Sequence, residues 1–325
     1  MTLSNVLIAG QPQSGSTKLF NMVRIALERS GVEVNTFLFS PEDGWPSPEP
    51  GRVNLAKVHN YDAVAADGAG LVLTTRRDIR DCVVSHIKRL KQAGHGSGPW
   101  TPFYYGVWNL ECYKAWQQRS DAEFVYEDGV IDARKQAAQL GDILQIELSA
   151  SDCDELIERV DSLWNASLPE FDDKSNAVYQ KTLLTASHNT SGGRVGNYKR
   201  FDMDWREFNF IFARYFRECG YEVGPMQNTL SKSWHFYAMA AVEFAYQQIA
   251  PARNALRQGL ALFEQEYAPF KNFVKMNEKI SRAEGRRPAW AHSGKLIWRG
   301  WRRGFGFSRS DSGASRLLED RRRKK

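Results

Sequence analysis

The stretch Asn5-Val6-Leu7-Ile8-Ala9-Gly10-Gln11-Pro12-Gln13-Ser14-Gly15-Ser16-Thr17-Lys18-Leu19 passes from one kind of backbone to another. Residues 5–9 are a short apolar run with polar flanks, the mark of a buried strand. Residues 10–16 carry the Gly, Pro and Ser that break regular structure. From 17 to 29 the apolar residues Leu19, Phe20, Val23, Ile25, Ala26 and Leu27 recur at helical spacing, and Gly31 closes the helix. A strand that turns directly into a helix aims main-chain N–H groups and the positive end of the helix dipole at one point, which makes a cradle for an anion. Gly15 lets the backbone approach a phosphate closely, and Ser16 and Thr17 add hydroxyl donors.

Outward from this loop the same alternation repeats. Residues 32–38, 54–59, 70–75 and 123–126 read as strands. Residues 62–66, 78–92, 103–119 and 132–144 read as helices. The Pro/Gly-rich stretches 41–50 and 95–102 read as loops, the second of them lid-like. Strands alternating with helices predict an α/β three-layer sandwich with a central parallel sheet and a P-loop-like phosphate loop. Past Gly224-Pro225 the pattern changes to long helical stretches, 234–250 and 252–267, separated by Pro251. Three regions are therefore expected: a nucleotide-binding domain over 1–226, a helical extension over 227–285 and a basic tail over 286–325.

The chain has 325 residues and is 42% apolar, enough for one full α/β domain and an appended part. Its net charge of +6 is an average of unlike parts. After position 285 there are 13 Lys/Arg against 3 Asp/Glu, a net of +10, so the remainder carries −4. Four cysteines, Cys82, Cys112, Cys153 and Cys219, lie far apart with no C-x-x-C pair, which argues against a zinc site or a disulfide framework and fits a reducing compartment. No apolar run is long enough to span a membrane, and no secretory leader is legible. The expected location is cytoplasmic.

The loop is not that of the usual NTPases. Their pattern G-x-x-x-x-G-K-[ST] would place a lysine at position 16, which here is Ser16, and Lys18 comes two residues late. Four other segments stand at predicted strand–helix junctions. Thr75-Arg76-Arg77-Asp78-Ile79-Arg80-Asp81-Cys82-Val83-Val84-Ser85 follows a strand and opens a helix. Lys57-Val58-His59 ends a strand. Phe124-Val125-Tyr126-Glu127-Asp128 leads from a strand towards a helix. Ser191-Gly192-Gly193-Arg194-Val195-Gly196-Asn197-Tyr198-Lys199 is a late glycine-rich loop.

Taken together and in this order, these segments resemble the sulfotransferases that use 3′-phosphoadenosine 5′-phosphosulfate (PAPS). Residues 12–18 are similar to that family's 5′-phosphosulfate loop, P-[KR]-S-G-[ST]-T-W/L. Residues 77–85 are similar to its 3′-phosphate segment, R-[ND]-x-[KR]-D-x-x-x-S. Lys57-Val58-His59 is similar to its K-x-H, and the late loop to its R-x-G-x-x-G-x-W-[KR], with Tyr198 at the Trp position. The resemblance spans about residues 6–221.

It implies transfer of a sulfuryl group from PAPS to a hydroxyl or amine acceptor, small-molecule, glycan or lipid, with no metal. His59 would be the general base, a role a neutral imidazole can fill at neutral pH. Lys57 and Gln13 would attend the charge on the transferred group and the leaving phosphate. Ser14, Gly15, Ser16, Thr17 and Lys18 would hold the 5′ side, Arg77, Ser85, Gly193, Arg194 and Gly196 the 3′-phosphate, and Tyr126 the adenine. Gln13 departs from the family, which has Lys or Arg there. Loss of one comparable transition-state donor costs about 3–4 kcal/mol. The alternative is accordingly a catalytically weak or inactive binding or scaffold protein on the same fold; a P-loop kinase fits less well, for want of the lysine.

The 234–277 stretch is apolar at helical spacing and calls for a partner surface, within the chain or in a homodimer. Residues 295–307 interleave Trp298, Trp301, Phe305 and Phe307 with arginines. This pattern fits peripheral contact with an anionic membrane in preference to nucleic acid.

Overall fold

The computed structural model describes residues 3–165, 168–169, 175–186, 194–263 and 270–285. The chain divides into two compact units between Thr229 and Leu230. In the first, five parallel strands form one sheet: β1 (Asn5–Gly10), β2 (Glu33–Leu38), β3 (Arg52–Lys57), β4 (Leu71–Arg76) and β5 (Ala122–Val125), in the order β2-β3-β1-β4-β5. Among them lie α1 (Ser16–Arg29), α2 (Ala63–Gly68), α3 (Ile79–Gln92) and α4 (Thr101–Gln117). Following β5 come α5 (Tyr126–Ile131), α6 (Ala133–Leu144), α7 (Ala150–Ser162), α8 (Ala177–Thr182) and α9 (Arg206–Glu218).

β1 is wholly buried, and its side chains alternate between two cores. Val6 and Ile8 pack with Phe20 and Val23 of α1, Leu140 of α6 and Leu156 of α7. Leu7 and Ala9 pack with Ala65 and Ala66 of α2 and Trp116 of α4. Helices therefore cover both faces, which is why this strand reads as an unbroken apolar run. Burying Val6, Leu7 and Ile8 contributes about 1.5–3 kcal/mol each, enough to fix β1 at the centre. From β1 the chain goes to β2 and β3 on one side, then crosses back to β4 and β5 on the other. The strand order reverses at β1, and ligands of open α/β sheets bind beyond the carboxyl ends of the strands at such a point.

The strands lie where the sequence pattern puts them, apart from their ends. Tyr126, expected to finish a strand, instead opens α5. The pattern passed over α5, α7, α8 and α9. α7 carries a capping box, Ser149 with Asp152, and α9 a Phe208, Phe212, Phe216 stripe.

The second unit contains α10 (Ser233–Ala245), α11 (Ile249–Phe263) and α12 (Phe270–Ala283). Pro251 does not separate two helices as expected. It lies in the first turn of α11, where its missing N–H breaks no helical bond. The break falls at Tyr246–Gln248, where Gln247 has φ 61°. Ala238, Ala241, Ala252, Leu256, Phe273 and Ile280 are buried in this unit. Arg253 ties α11 to α12 through Asn277, Ser281 and Glu284. Among the described residues no helix is long and apolar enough to cross a membrane. The basic aromatic stretch 295–307 lies outside the described residues.

Candidate functional site

The carboxyl ends of β3, β1 and β4 are adjacent, and each feeds one of the candidate segments. The turn after β1 has two glycines in the left-handed region. A Cβ on Gly10 (φ +107°) would lie 2.6 Å from the Thr75 carbonyl oxygen, so only glycine lets β1 and β4 meet there. Gly15 (φ +90°) precedes α1, and a Cβ there would lie 2.6 Å from the Tyr126 ring. α1 has no side-chain cap, so its first amides stay available to an anion.

Three buried groups lock this turn to the start of α3. Gln11 Nε2 donates to the Tyr215 hydroxyl (2.9 Å), that hydroxyl donates to the Arg77 carbonyl (2.8 Å), and the Arg77 N–H donates to Gln11 Oε1 (2.8 Å). Ser14 Oγ donates to the Gln11 carbonyl and meets Thr75 Oγ1. Neither Gln11 nor Tyr215 stood out in the sequence. They are 204 positions apart, and nothing local marks the pairing.

Lys57 is buried at the end of β3, and its Nζ donates to Thr17 Oγ1 (2.5 Å). Burial, and then the charge of Arg89, lower its pKa to about 7. Two residues on, His59 Nδ1 lies 3.2 Å from the Gly10 carbonyl. That carbonyl can only accept, so Nδ1 carries the proton and Nε2 keeps its lone pair. Burial first, then the charge of Lys57, lower the His59 pKa to about 3 and hold the ring neutral. Trp116 Nε1 donates to the His59 carbonyl (2.8 Å) and fixes its backbone.

Arg77 and Ser85 of the β4–α3 segment converge on Gln13. Arg77 is 3% exposed. Its Nη1 donates to the Gln13 carbonyl (3.3 Å) and its Nη2 to the Arg194 carbonyl (2.8 Å). Its guanidinium lies 4.1 Å from the centre of the Tyr126 ring, and its Nε is buried without a hydrogen-bond partner. Ser85 Oγ donates to Gln13 Oε1 (2.9 Å). Gln13, at φ 64°, turns its side-chain carbonyl to Ser85 and keeps its amide N–H₂ as an uncharged donor.

The remaining candidates divide. Ser16 and Thr17 are buried at the head of α1. Lys18 lines a cleft with Ser14, Gly15, Tyr126, Gly129 and Gln136, and its Nζ lies 3.7 Å from Asp161. Arg194 reaches the site through its carbonyl, and the residue is exposed. Gly196 (φ +73°) donates its N–H to Asp81. Gly193 lies outside the described residues.

On the far side of His59 stands an aromatic group that the sequence reading missed. Trp108 of α4 meets the His59 ring edge-on at 6.5 Å, and His86 of α3 lies 5.2 Å from Trp108 and stacks on Tyr105 at 4.2 Å. Helical spacing placed Tyr105 and Trp108 on α4, but only the fold turns that face to His59. Among the described residues no group of three or more His, Cys, Asp or Glu could hold a metal ion.

No family model matches this sequence, and no curated protein does. Solved structures do. One is a retinol dehydratase in complex with retinol and PAP: 18% identical, TM-score 0.46, covering 67% of this chain and 81% of that one. A second is a retinol dehydratase in complex with androsterone and the inactive cofactor PAP, 18% identical, TM-score 0.47, with coverage of 70% and 83%. A third is the mouse sulfotransferase SULT7A1 complexed with PAP, 15% identical, TM-score 0.48, with coverage of 66% and 84%. These are proteins the chain is similar to; at such identities and TM-scores no residue role is carried over from them.

Proposed function

We propose that this protein is a sulfotransferase that moves a sulfuryl group from PAPS to the hydroxyl, or amine, of a small-molecule, glycan or lipid acceptor. The observation that carries the reading is the convergence of three strand ends, β3, β1 and β4. They bring a neutral imidazole with a free Nε2 and a buried arginine and serine to the turn between β1 and α1. The residues fit a ligand with phosphate at two ends. Uncapped amides of α1 suit a 5′-phosphosulfate, and the orphaned Arg77 Nε with Ser85 suits a second phosphate.

In the proposed step His59 Nε2 takes the acceptor proton as the acceptor oxygen attacks sulfur. The S–O bond to the 5′-phosphate breaks, and the bisphosphate leaves with that electron pair. Lys57, when charged, offsets negative charge on the sulfuryl oxygens. No metal takes part.

Gln13 favours a second reading, a nucleotide-binding protein with little or no turnover, because an uncharged amide stands where the resemblance expects Lys or Arg. One assay separates the two: transfer of label from sulfur-labelled PAPS to a panel of hydroxyl acceptors. Wild type is expected to label an acceptor, and His59→Ala to lose about 10²–10⁴ in rate while binding the nucleotide as before. Undiminished turnover in the variant would end the His59 assignment. Binding without transfer on any acceptor would select the second reading. Adenosine 3′,5′-bisphosphate is expected to raise the melting temperature more than AMP does, and equal shifts would remove the Arg77 and Ser85 roles. The proposed setting is cytoplasmic, with peripheral membrane contact through residues 295–307.

A further inference from the structure

Three side chains at the entry to α3, Arg77 just before its N-cap and Arg80 and Asp81 in its first turn, hold one short segment, residues 194–198. Asp81 is 1% exposed, and its two oxygens are used separately. Oδ2 accepts from the Gly196 N–H (2.7 Å) and Oδ1 from the Tyr198 N–H (2.9 Å). Oδ2 also lies 3.4 Å from Arg77 Nη2, the nitrogen that donates to the Arg194 carbonyl. Arg80 adds a grip from the side: its guanidinium lies 4.0 Å from the Tyr198 ring and 4.2 Å from the Phe216 ring. Amides at the head of the 3-10 turn Asn197–Arg200 are thereby satisfied by a carboxylate from another element.

We infer that Asp81 is a positioning residue that sets how the site discriminates a 3′-phosphate: it holds segment 194–198 against Arg77 and touches neither nucleotide nor acceptor. This rests on the reading of Arg77 as a phosphate ligand. One carboxylate orients both Arg77 and the segment whose carbonyl Arg77 meets, so its removal loosens both at once. A 5′-phosphate on the loop before α1 is held by the first amides of α1, and Arg77 touches that loop through the Gln13 carbonyl alone (3.3 Å), so the 5′ side feels the loss less. The effect of Asp81 therefore falls on ligands that carry a 3′-phosphate.

The test is calorimetric binding of adenosine 3′,5′-bisphosphate and of AMP to the full chain as wild type, Asp81→Asn and Asp81→Glu. Asn sets an amide N–H₂ against one main-chain donor, and Glu keeps the charge but moves it by one methylene. Both variants are expected to bind the bisphosphate about tenfold or more weakly, from the loss of charge-assisted bonds, and AMP within about twofold of wild type. Amide hydrogen exchange of Gly196 and Tyr198 is expected to accelerate, without ligand, in whichever variant folds. Unchanged bisphosphate affinity in a folded variant, an equal loss for AMP, or unchanged exchange at those amides would overturn the inference. A wild type that does not prefer the bisphosphate to AMP would overturn the Arg77 reading instead, while the exchange data would still report on the anchor.

Discussion

Lys57 shows how one buried side chain can set a pH dependence. Burial and Arg89 lower its pKa to about 7, so the ammonium that would face the sulfuryl group is half lost at neutral pH in the free protein. Because kcat/KM reports groups of the free protein, it is expected to fall as pH rises through about 7, and Lys57→Met is expected to lack that limb. The limb in kcat should lie at higher pH, since a bound polyanion favours the ammonium. A wild-type kcat/KM that stays flat from pH 6 to 9 would remove Lys57 from the charge-offsetting role. His59 does not compete for this limb, because its pKa of about 3 keeps it neutral throughout that range.

At the scale of elements, the turn between β1 and α1 is the most constrained part of the site. Gly15 at φ +90° lies beneath the Tyr126 ring, and Arg77 meets that ring in turn. Gly15→Ala carries both a left-handed backbone and a clash, a loss of about 2–4 kcal/mol in stability. Adding Tyr126→Ala removes the clash and leaves about 1–2 kcal/mol of strain. A double-mutant cycle by chemical unfolding is expected to show this coupling, and strict additivity would mean that ring and turn are not in contact. The strands, α1, the turn between β1 and α1 and the places of the Lys57, His59, Arg77 and Ser85 segments at strand ends were legible in sequence, because each is written in a few consecutive residues. The strand order, the Gln11–Tyr215–Arg77 lock and the Trp108–His86 group were not. They depend on pairings between distant residues, and a period within one helix says which residues share a face but not what that face meets. Asp81 was visible in sequence as the Asp of the segment 77–85; its use on two amides of residues 196–198 needs the fold.

At the scale of the whole molecule, the site bears on the pH dependence of stability. His59 and His86 both have pKa values lowered to about 3, in each case chiefly by burial, against 6.5 for an exposed imidazole. Between those values the unfolded chain binds more protons than the folded one, so stability is fully present above about 6.5 and is lost as pH falls towards 3. Each ring contributes a slope of at most about 1.4 kcal/mol per pH unit. Lys57 acts in the same direction over a different window: its folded value is about 7 against 10.5 unfolded, so stability rises with pH across that interval. His86 allows a clean separation, because its Nε2 has no hydrogen-bond partner and its ring stacks on Tyr105. Phenylalanine keeps the stack and removes the titration. His86→Phe is expected to lie near wild type at pH 7.5 and to be the more stable of the two at pH 5, with a shallower acid slope in urea unfolding followed from pH 7.5 to 4.5. Parallel curves would mean that His86 takes up its proton in the folded protein as readily as in the unfolded chain, and that its burial does not hold the ring neutral.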